Sequence, residues 1–220
     1  MNEVIPKFQD SLFAGISSII PDIAELGIDS ILSEGLLKDI PVVSILLGMK
    51  NTAQALHDRN LLRQTLVFIS EFNSGNINEK KKQKYKQNIE DDPKKAEAEL
   101  GRVLIILNRN IDIEKSRILS KLFICYVNEG MSWEDFCDLS EITDRLFLRD
   151  IKWLKKVHEH DTKGDDYMVS SSAYAVNRLV ALGLISASRV AAFYKKNYNM
   201  DSIIHLTKAG KMFCEAVVEL

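Results

Sequence analysis

The chain of 220 residues is poor in the residues that interrupt helices and in those that build metal or redox sites. It has only four prolines, ten glycines and three cysteines. Scarce helix breakers, together with apolar residues that recur at helical spacing, predict a mainly α-helical protein. Cys125, Cys137 and Cys214 are far apart and odd in number, so we expect reduced thiols in the core and no disulfide framework.

An excess of either charge is also missing. The 29 Lys and Arg residues oppose 31 Asp and Glu residues, for a net charge of −2. Such a protein is not a polycation, so any nucleic-acid contact requires a local basic patch. No window approaches the ~18 uncharged apolar residues of a spanning helix. The N-terminus, MNEVIPKFQD, lacks the basic start of a secretion signal. These absences lead us to expect a cytoplasmic protein.

Catalytic motifs are absent as well. There is no glycine-rich phosphate loop, nucleophile elbow or His-Glu-x-x-His motif. The tetrad 158–161, HEHD, is the one cluster of potential metal ligands, and its place at a helix end beside lysines favours solvated polar residues. The neighbouring His57, Asp58 and Arg59 point in different directions if they lie on a helix. We therefore expect a non-enzymatic protein without a catalytic residue, metal or cofactor.

Residues 1–130 are predicted to form a helical domain. Apolar clusters over 8–36 predict two or three short helices, and 42–72 predicts one long helix or two abutting ones. Asp92-Pro93 is typical of a helix start, and a further helix is predicted over 112–127. The lysine-rich stretch about 73–92, with five lysines at 80–86, is interpreted as a solvated polar connector, either helical or irregular; the alternative is a patch for nucleic acid or acidic lipid.

Residues 131–220 are predicted to form a second domain. Apolar positions indicate helices from Ser132 to His158, followed by a polar loop, HEHDTKGDD. A helix is then expected after a serine cap at 170–172, ending at Gly183. Two arms rich in β-branched and aromatic residues, 189–194 and 203–206, predict a β-hairpin with its turn at 195–199. Thr207 is predicted to cap the last helix.

The C-terminal 50 or so residues resemble a winged helix-turn-helix domain of the multiple-antibiotic-resistance type of regulator. The resemblance is carried by VNRLVALGLIS, by the hairpin and by HLTKAGKMF. It implies that the helix before the wing enters the DNA major groove while the wing contacts the backbone. The residues that would then face bases are Ser171, Tyr174, Asn177 and Arg178, and those that would contact phosphates are Lys195 and Lys196. The same face could instead bind a partner protein.

The whole chain resembles small bacterial proteins found in prophage and phage-defence settings, through IPVVSILLGMKNTAQALHDRNLL and SWEDFCDLSEITDRLF. Our main hypothesis is a non-enzymatic bacterial regulatory or interaction protein. Its helical domain would mediate homo-oligomerisation or partner sensing, and its winged-helix domain would bind double-stranded DNA or a partner protein.

The alternative is an effector whose apolar N-terminal helices, within residues 1–50, perturb a membrane. That segment has three Lys against seven Asp and Glu, a balance that an anionic leaflet repels.

Overall fold

A computed structural model of the chain describes residues 3–15, 40–48, 55–170, 174–189 and 201–217. The chain divides into two compact units, Met1–Ser132 and Trp133–Leu220. Within the described ranges the protein is mainly helical, with one small antiparallel sheet of three strands. The predicted mainly α fold class is therefore confirmed. Most of the region 8–36, predicted to form short helices, lies at 16–36, outside the described residues.

The N-terminal unit is built from helices. They are α1 (Val4–Phe13), α2 (Pro41–Gly48), α3 (Ala55–Ser74), α4 (Glu79–Asp91), α5 (Pro93–Arg109) and α6 (Ile113–Val127). The region predicted as one long helix or two abutting ones contains α2 and α3, with residues 49–54 outside the described ranges. As predicted, α5 begins at Pro93, and the Asp92 carboxylate accepts hydrogen bonds from the backbone N–H groups of Lys94 and Lys95, both at 3.1 Å.

An aromatic cluster forms the centre of this unit. Phe123 of α6 is fully buried, and its ring centroid lies 5.7 Å from that of Phe68, 5.8 Å from Phe72 and 5.6 Å from Tyr85. Rings at these separations gain edge-to-face or tilted contacts in addition to their buried area. One phenylalanine thus ties α3 and α4 to α6.

A buried carboxylate completes the cluster. Glu99 of α5 is 5% exposed and accepts hydrogen bonds from the hydroxyl groups of Tyr85 at 2.8 Å and Tyr126 at 2.9 Å. Burial, then the negative charge of Glu99 and its hydrogen bond, raise the pKa of Tyr85 well above its ordinary value. The phenol therefore stays a neutral donor, which is the form a buried carboxylate requires.

The lysine-rich stretch that was interpreted as a solvated connector is largely helical. It contains α4, which buries Tyr85 and Ile89 in the core of the N-terminal unit. Because these two residues are one helical turn apart, they give the otherwise polar helix a single apolar edge. The segment is therefore an integral helix of this unit.

The lysines of α4 are largely engaged within the molecule. Lys84 donates a hydrogen bond of 2.7 Å to Glu129, whose other carboxylate oxygen lies 3.5 Å from Lys81. The hydrogen bond from Lys84 and the charges of both lysines lower the pKa of Glu129. The ammonium groups of Lys82 and Lys86 lie 5.4 and 6.0 Å from the centroids of phenylalanine rings. This arrangement weakens the interpretation of the run as a patch for nucleic acid or lipid.

The C-terminal unit surrounds the sheet with helices. Its elements are α7 (Trp133–Arg145), a 3-10 turn (Leu148–Asp150), α8 (Ile151–Lys163), β1 (Tyr167–Ser170), α9 (Tyr174–Ala181), β2 (Ile185–Arg189), β3 (Asp201–Leu206) and α10 (Lys208–Val217). The strand order is β1-β3-β2, and β3 runs antiparallel to both neighbours. Fully buried side chains include Phe136, Leu154, Val157, Leu179, Ile204 and Phe213.

Two predicted boundaries in this unit are wrong. The residues predicted as a polar loop after His158 continue α8 as far as Lys163, where Gly164 ends the helix with a left-handed φ of 73°. The strand that leads into the predicted hairpin begins earlier than the predicted residue 189, because the buried Ile185 already pairs with Leu206. Residues 190–200, with the predicted turn, lie outside the described ranges. Strand β1 was not predicted.

The first turn of α10 packs against Leu184, in the short segment between α9 and β2. Thr207 caps α10 as predicted, since its hydroxyl accepts a hydrogen bond of 3.0 Å from the backbone N–H of Gly210. A Cβ atom at Gly210 would lie 1.9 Å from the carbonyl oxygen of Leu184, so only glycine fits there. The close approach holds α10 on the residues that lead into β2.

Candidate interaction surface

Helix α8 is anchored to the sheet by one of its faces. Leu154 and Val157 are fully buried on that face. The Asp161 carboxylate accepts a hydrogen bond of 2.8 Å from the backbone N–H of Leu206 and lies 3.0 Å from Nδ1 of His205. Both of these residues belong to β3. The opposite face of α8 is consequently held in a fixed orientation towards solvent.

The solvent face of α8 is strongly basic. Its exposed lysines are Lys152, Lys155, Lys156 and Lys163, at i, i+3, i+4 and i+11, which places them on one side of the helix. Over these residues the helix axis extends about 16 Å. The exposed Arg149 in the preceding 3-10 turn extends the row. We call these five residues the basic stripe.

The basic stripe carries little opposing charge. Glu159 is the single carboxylate on the same face, so five cations oppose one anion. Within the described parts of the chain, none of the four lysines forms an ion pair, although Lys156 lies 5.6 Å from the centroid of the Trp153 ring. The stripe thus differs from the lysine run of α4, whose charges are largely engaged.

Arg178 of α9 is held by an internal ion pair. Its Nε and Nη2 atoms each donate a hydrogen bond of 2.7 Å to the Asp150 carboxylate, which is almost fully buried. The hydrogen bond to Asp150 outweighs burial and raises the pKa of Arg178. The guanidinium also lies 4.8 Å from the centroid of the Phe147 ring. Asp150 therefore engages the Nε–Nη2 edge of the guanidinium, and the N–H donors on Nη1 and the second one on Nη2 are not used by this ion pair.

The rest of the α9 surface is open. Tyr174 is 82% exposed, and Asn177 is exposed beside it. Tyr174 and Arg178 are one helical turn apart, and Phe147, beneath Arg178, is 52% exposed. Val180 is 39% exposed, whereas Ala175 is buried. Tyr174, Arg178 and Phe147 form what we call the aromatic patch.

The remaining predicted contact residues lie beyond the described residues. Ser171 falls in 171–173, and Lys195 and Lys196 fall in 190–200. Of the six residues predicted for the interface, the structure therefore describes three. Tyr174 and Asn177 lie at the surface, whereas Arg178 forms an ion pair with Asp150 of the same unit.

The histidine-rich tetrad has structural contacts. The His160 ring stacks on that of Tyr167 with centroids 4.7 Å apart, and Asp161 bonds to β3. Among the described residues no group of three or more His, Cys, Asp or Glu side chains could hold a metal ion. Nor does any helix in the described ranges have the length and apolar character needed to cross a membrane.

Comparison of the chain with protein-family models, curated proteins and solved structures finds no match. The evidence for the candidate surface therefore comes from the positions, exposure and charges of its own residues. The basic stripe was not predicted, although its signal is present in IKWLKKVHEHDTK as lysines at helical spacing. The predicted loop at 158–166 ended the helix too early for Lys163 to be placed on the same face.

Proposed function

We propose that the chain is a non-enzymatic regulatory protein whose C-terminal unit is a winged-helix-like module that binds double-stranded DNA through the basic stripe. The observation that carries the proposal is the row of five exposed cations beside a single carboxylate on a face fixed by the sheet. The N-terminal helical unit would mediate self-association or sense a partner. The basic stripe would contact mainly DNA phosphates, and contacts with base edges would be secondary.

The topology supports a winged module but not a complete helix-turn-helix. The order α8, β1, α9, β2, β3 places a helix directly before an antiparallel strand pair. A helix-turn-helix joins two helices by a turn of three or four residues. Here α8 ends at Lys163 and α9 begins at Tyr174, with β1 between them. The eight-residue α9 therefore lacks the partner helix that would orient it in a major groove, and we expect weak sequence preference.

The basic stripe has enough positive charge to bind the phosphate backbone of DNA. Duplex DNA carries one charge per about 1.7 Å of axis, so about nine phosphate charges lie along the 16 Å of the four lysines. Engagement of about four of them would give a salt-dependent affinity in the range of non-specific binding, with a Kd of about 10⁻⁴ to 10⁻⁶ M at physiological salt. The overall charge of −2 does not prevent this, because the attraction is local.

The test is fluorescence anisotropy with a labelled duplex of about 20 base pairs at about 50 mM salt, where phosphate contacts are strong. The double variant Lys152→Ala/Lys155→Ala is expected to bind about tenfold more weakly or worse, because two counterion-releasing contacts are removed. The matched control is Lys208→Ala/Lys211→Ala, which removes two exposed lysines at the same i, i+3 spacing from α10.

The control should bind within about twofold of the wild type, because Lys208 and Lys211 lie on α10 and do not belong to the basic stripe whose phosphate contacts would supply the affinity. Equal losses in the two double variants would mean that only the total charge matters. That result would refute a defined stripe.

A partner protein is the second candidate, and the aromatic patch favours it. Tyr and Arg are enriched among the residues that dominate protein interfaces. Tyr174 and Phe147 both expose large rings, and the Arg178 guanidinium lies 4.8 Å from the centroid of the Phe147 ring. If the wild-type protein fails to bind the duplex at about 50 mM salt, this candidate replaces the first.

A further inference from the structure

A groove of about 380 Å³ lies in the N-terminal unit, between α1 and the corner where α4 meets α5. Its lining is mostly apolar, and its buried floor includes Ile89 and Ala96. Ile5 and Gln9 of α1 form one wall. A volume in this range and a lining with few polar groups are typical of small-molecule sites.

The walls of the groove are fixed by local geometry. At the α4–α5 corner, Asp92 caps the next helix and Pro93 sets its first turn. On the other side, Ile5 faces α5 at Gly101, where an added Cβ atom would be in van der Waals contact with its Cδ1 atom at 3.4 Å. Since neither wall depends on a ligand, the groove is formed in advance, and binding does not bear the cost of ordering it.

The charged groups of the lining are all of one sign. Glu90 of α4 and Glu97 of α5 contribute carboxylates, and among the described residues no lysine or arginine lines the groove. Lys86, one helical turn before Glu90 on α4, places its Nζ atom 3.8 Å from Oε1 of Glu90 but is not part of the lining. An apolar floor with an anionic rim is complementary to a molecule with an apolar body and one positive end.

We propose that this groove binds a small amphipathic amine. The apolar body lies on Ile89 and Ala96, and the ammonium group lies between the carboxylates of Glu90 and Glu97. The site is separate from the proposed DNA contact and does not depend on it. It would provide the helical unit with a ligand to sense.

The test compares two probes of nearly equal shape and opposite charge, 4-phenylbutylamine and 4-phenylbutyrate, titrated into the full chain by calorimetry. At the affinity per atom usual for drug-sized ligands, about eleven heavy atoms correspond to a Kd in the millimolar range. The amine is expected to bind about fivefold or more tightly than the acid, a modest ratio because both carboxylates are partly screened by solvent.

The variant Glu90→Gln/Glu97→Gln should abolish the preference for the amine while the protein remains folded, since both residues are exposed. The control, Glu79→Gln/Glu114→Gln, removes two exposed carboxylates of the same unit that lie outside the groove and should retain the preference. Equal binding of amine and acid to the wild type would overturn the proposal. So would loss of the preference in the control, or no binding of the amine at about 10 mM.

Discussion

Arg178→Ala is expected to lower the melting temperature of the C-terminal unit by about 10–20 °C. The substitution leaves Asp150, whose side chain is 3% exposed, without either of its two hydrogen bonds of 2.7 Å from the guanidinium. An uncompensated buried carboxylate is among the most destabilising single changes. The ring of Phe147 also loses the nearer of the two guanidinium groups that lie over it, those of Arg178 at 4.8 Å and Arg149 at 5.5 Å.

Thermal unfolding followed by tryptophan fluorescence measures this effect selectively. Both tryptophans of the chain, Trp133 and Trp153, belong to the C-terminal unit. Asn177→Ala is the matched control, because Asn177 is exposed on the same helix one residue away. Its melting temperature should stay within a few degrees of the wild type. Coincident unfolding curves for Arg178→Ala and Asn177→Ala would show that the ion pair contributes nothing.

This result bears on how DNA-binding variants are interpreted. Arg178 was predicted to face bases, and its substitution by alanine would then report a lost contact. In the structure the same substitution removes the partner of a buried carboxylate, so weakened binding would report a destabilised unit. Lysines of the basic stripe are better probes, because they are exposed and their removal leaves the core intact.

Phe123→Ala is expected to destabilise the N-terminal unit by about 3–5 kcal/mol. The side chain is fully buried, and three further aromatic rings lie with their centroids within 5.8 Å of its own. Truncation removes the buried ring area and leaves a cavity that the surrounding rings cannot fill without leaving their rotamers. Tyr85 would also lose packing that holds its hydroxyl on Glu99.

Urea unfolding followed by far-UV circular dichroism is the measurement, because the N-terminal unit is helical in its described parts. Ile105→Ala serves as control: Ile105 lies on α5 but is 56% exposed. Its substitution should change the free energy of unfolding by no more than about 0.5 kcal/mol. If Phe123→Ala were as mild as the control, the aromatic cluster could not be the centre of the unit.

Helical periodicity and capping residues were sufficient to predict much of the secondary structure. Asp92-Pro93 and Thr207 are local signals whose hydrogen bonds are made within three residues, and both were placed correctly. The boundary at His158 was wrong because composition outweighed periodicity. HEHDTKGDD is polar throughout, yet Asp161 anchors it to β3 through a contact 45 residues away.

Contacts between distant residues explain the rest of what was missed. Nothing near Arg178 in the chain indicates that Asp150, 28 residues earlier, occupies its guanidinium. The lysine run at 80–86 is conspicuous as a linear cluster, yet the fold engages several of its charges. The lysines of α8 are spaced more widely in the sequence and become a continuous surface only when the helix extends to Lys163.

The most direct test of the central claim is the salt dependence of duplex binding by the wild-type protein. If about four cations of the basic stripe contact phosphates, log Kobs should fall linearly with log salt with a slope of about −3 to −4. Affinity would then drop about a hundredfold between 50 and 200 mM salt. A slope near zero, or no binding at 50 mM salt, would contradict the account.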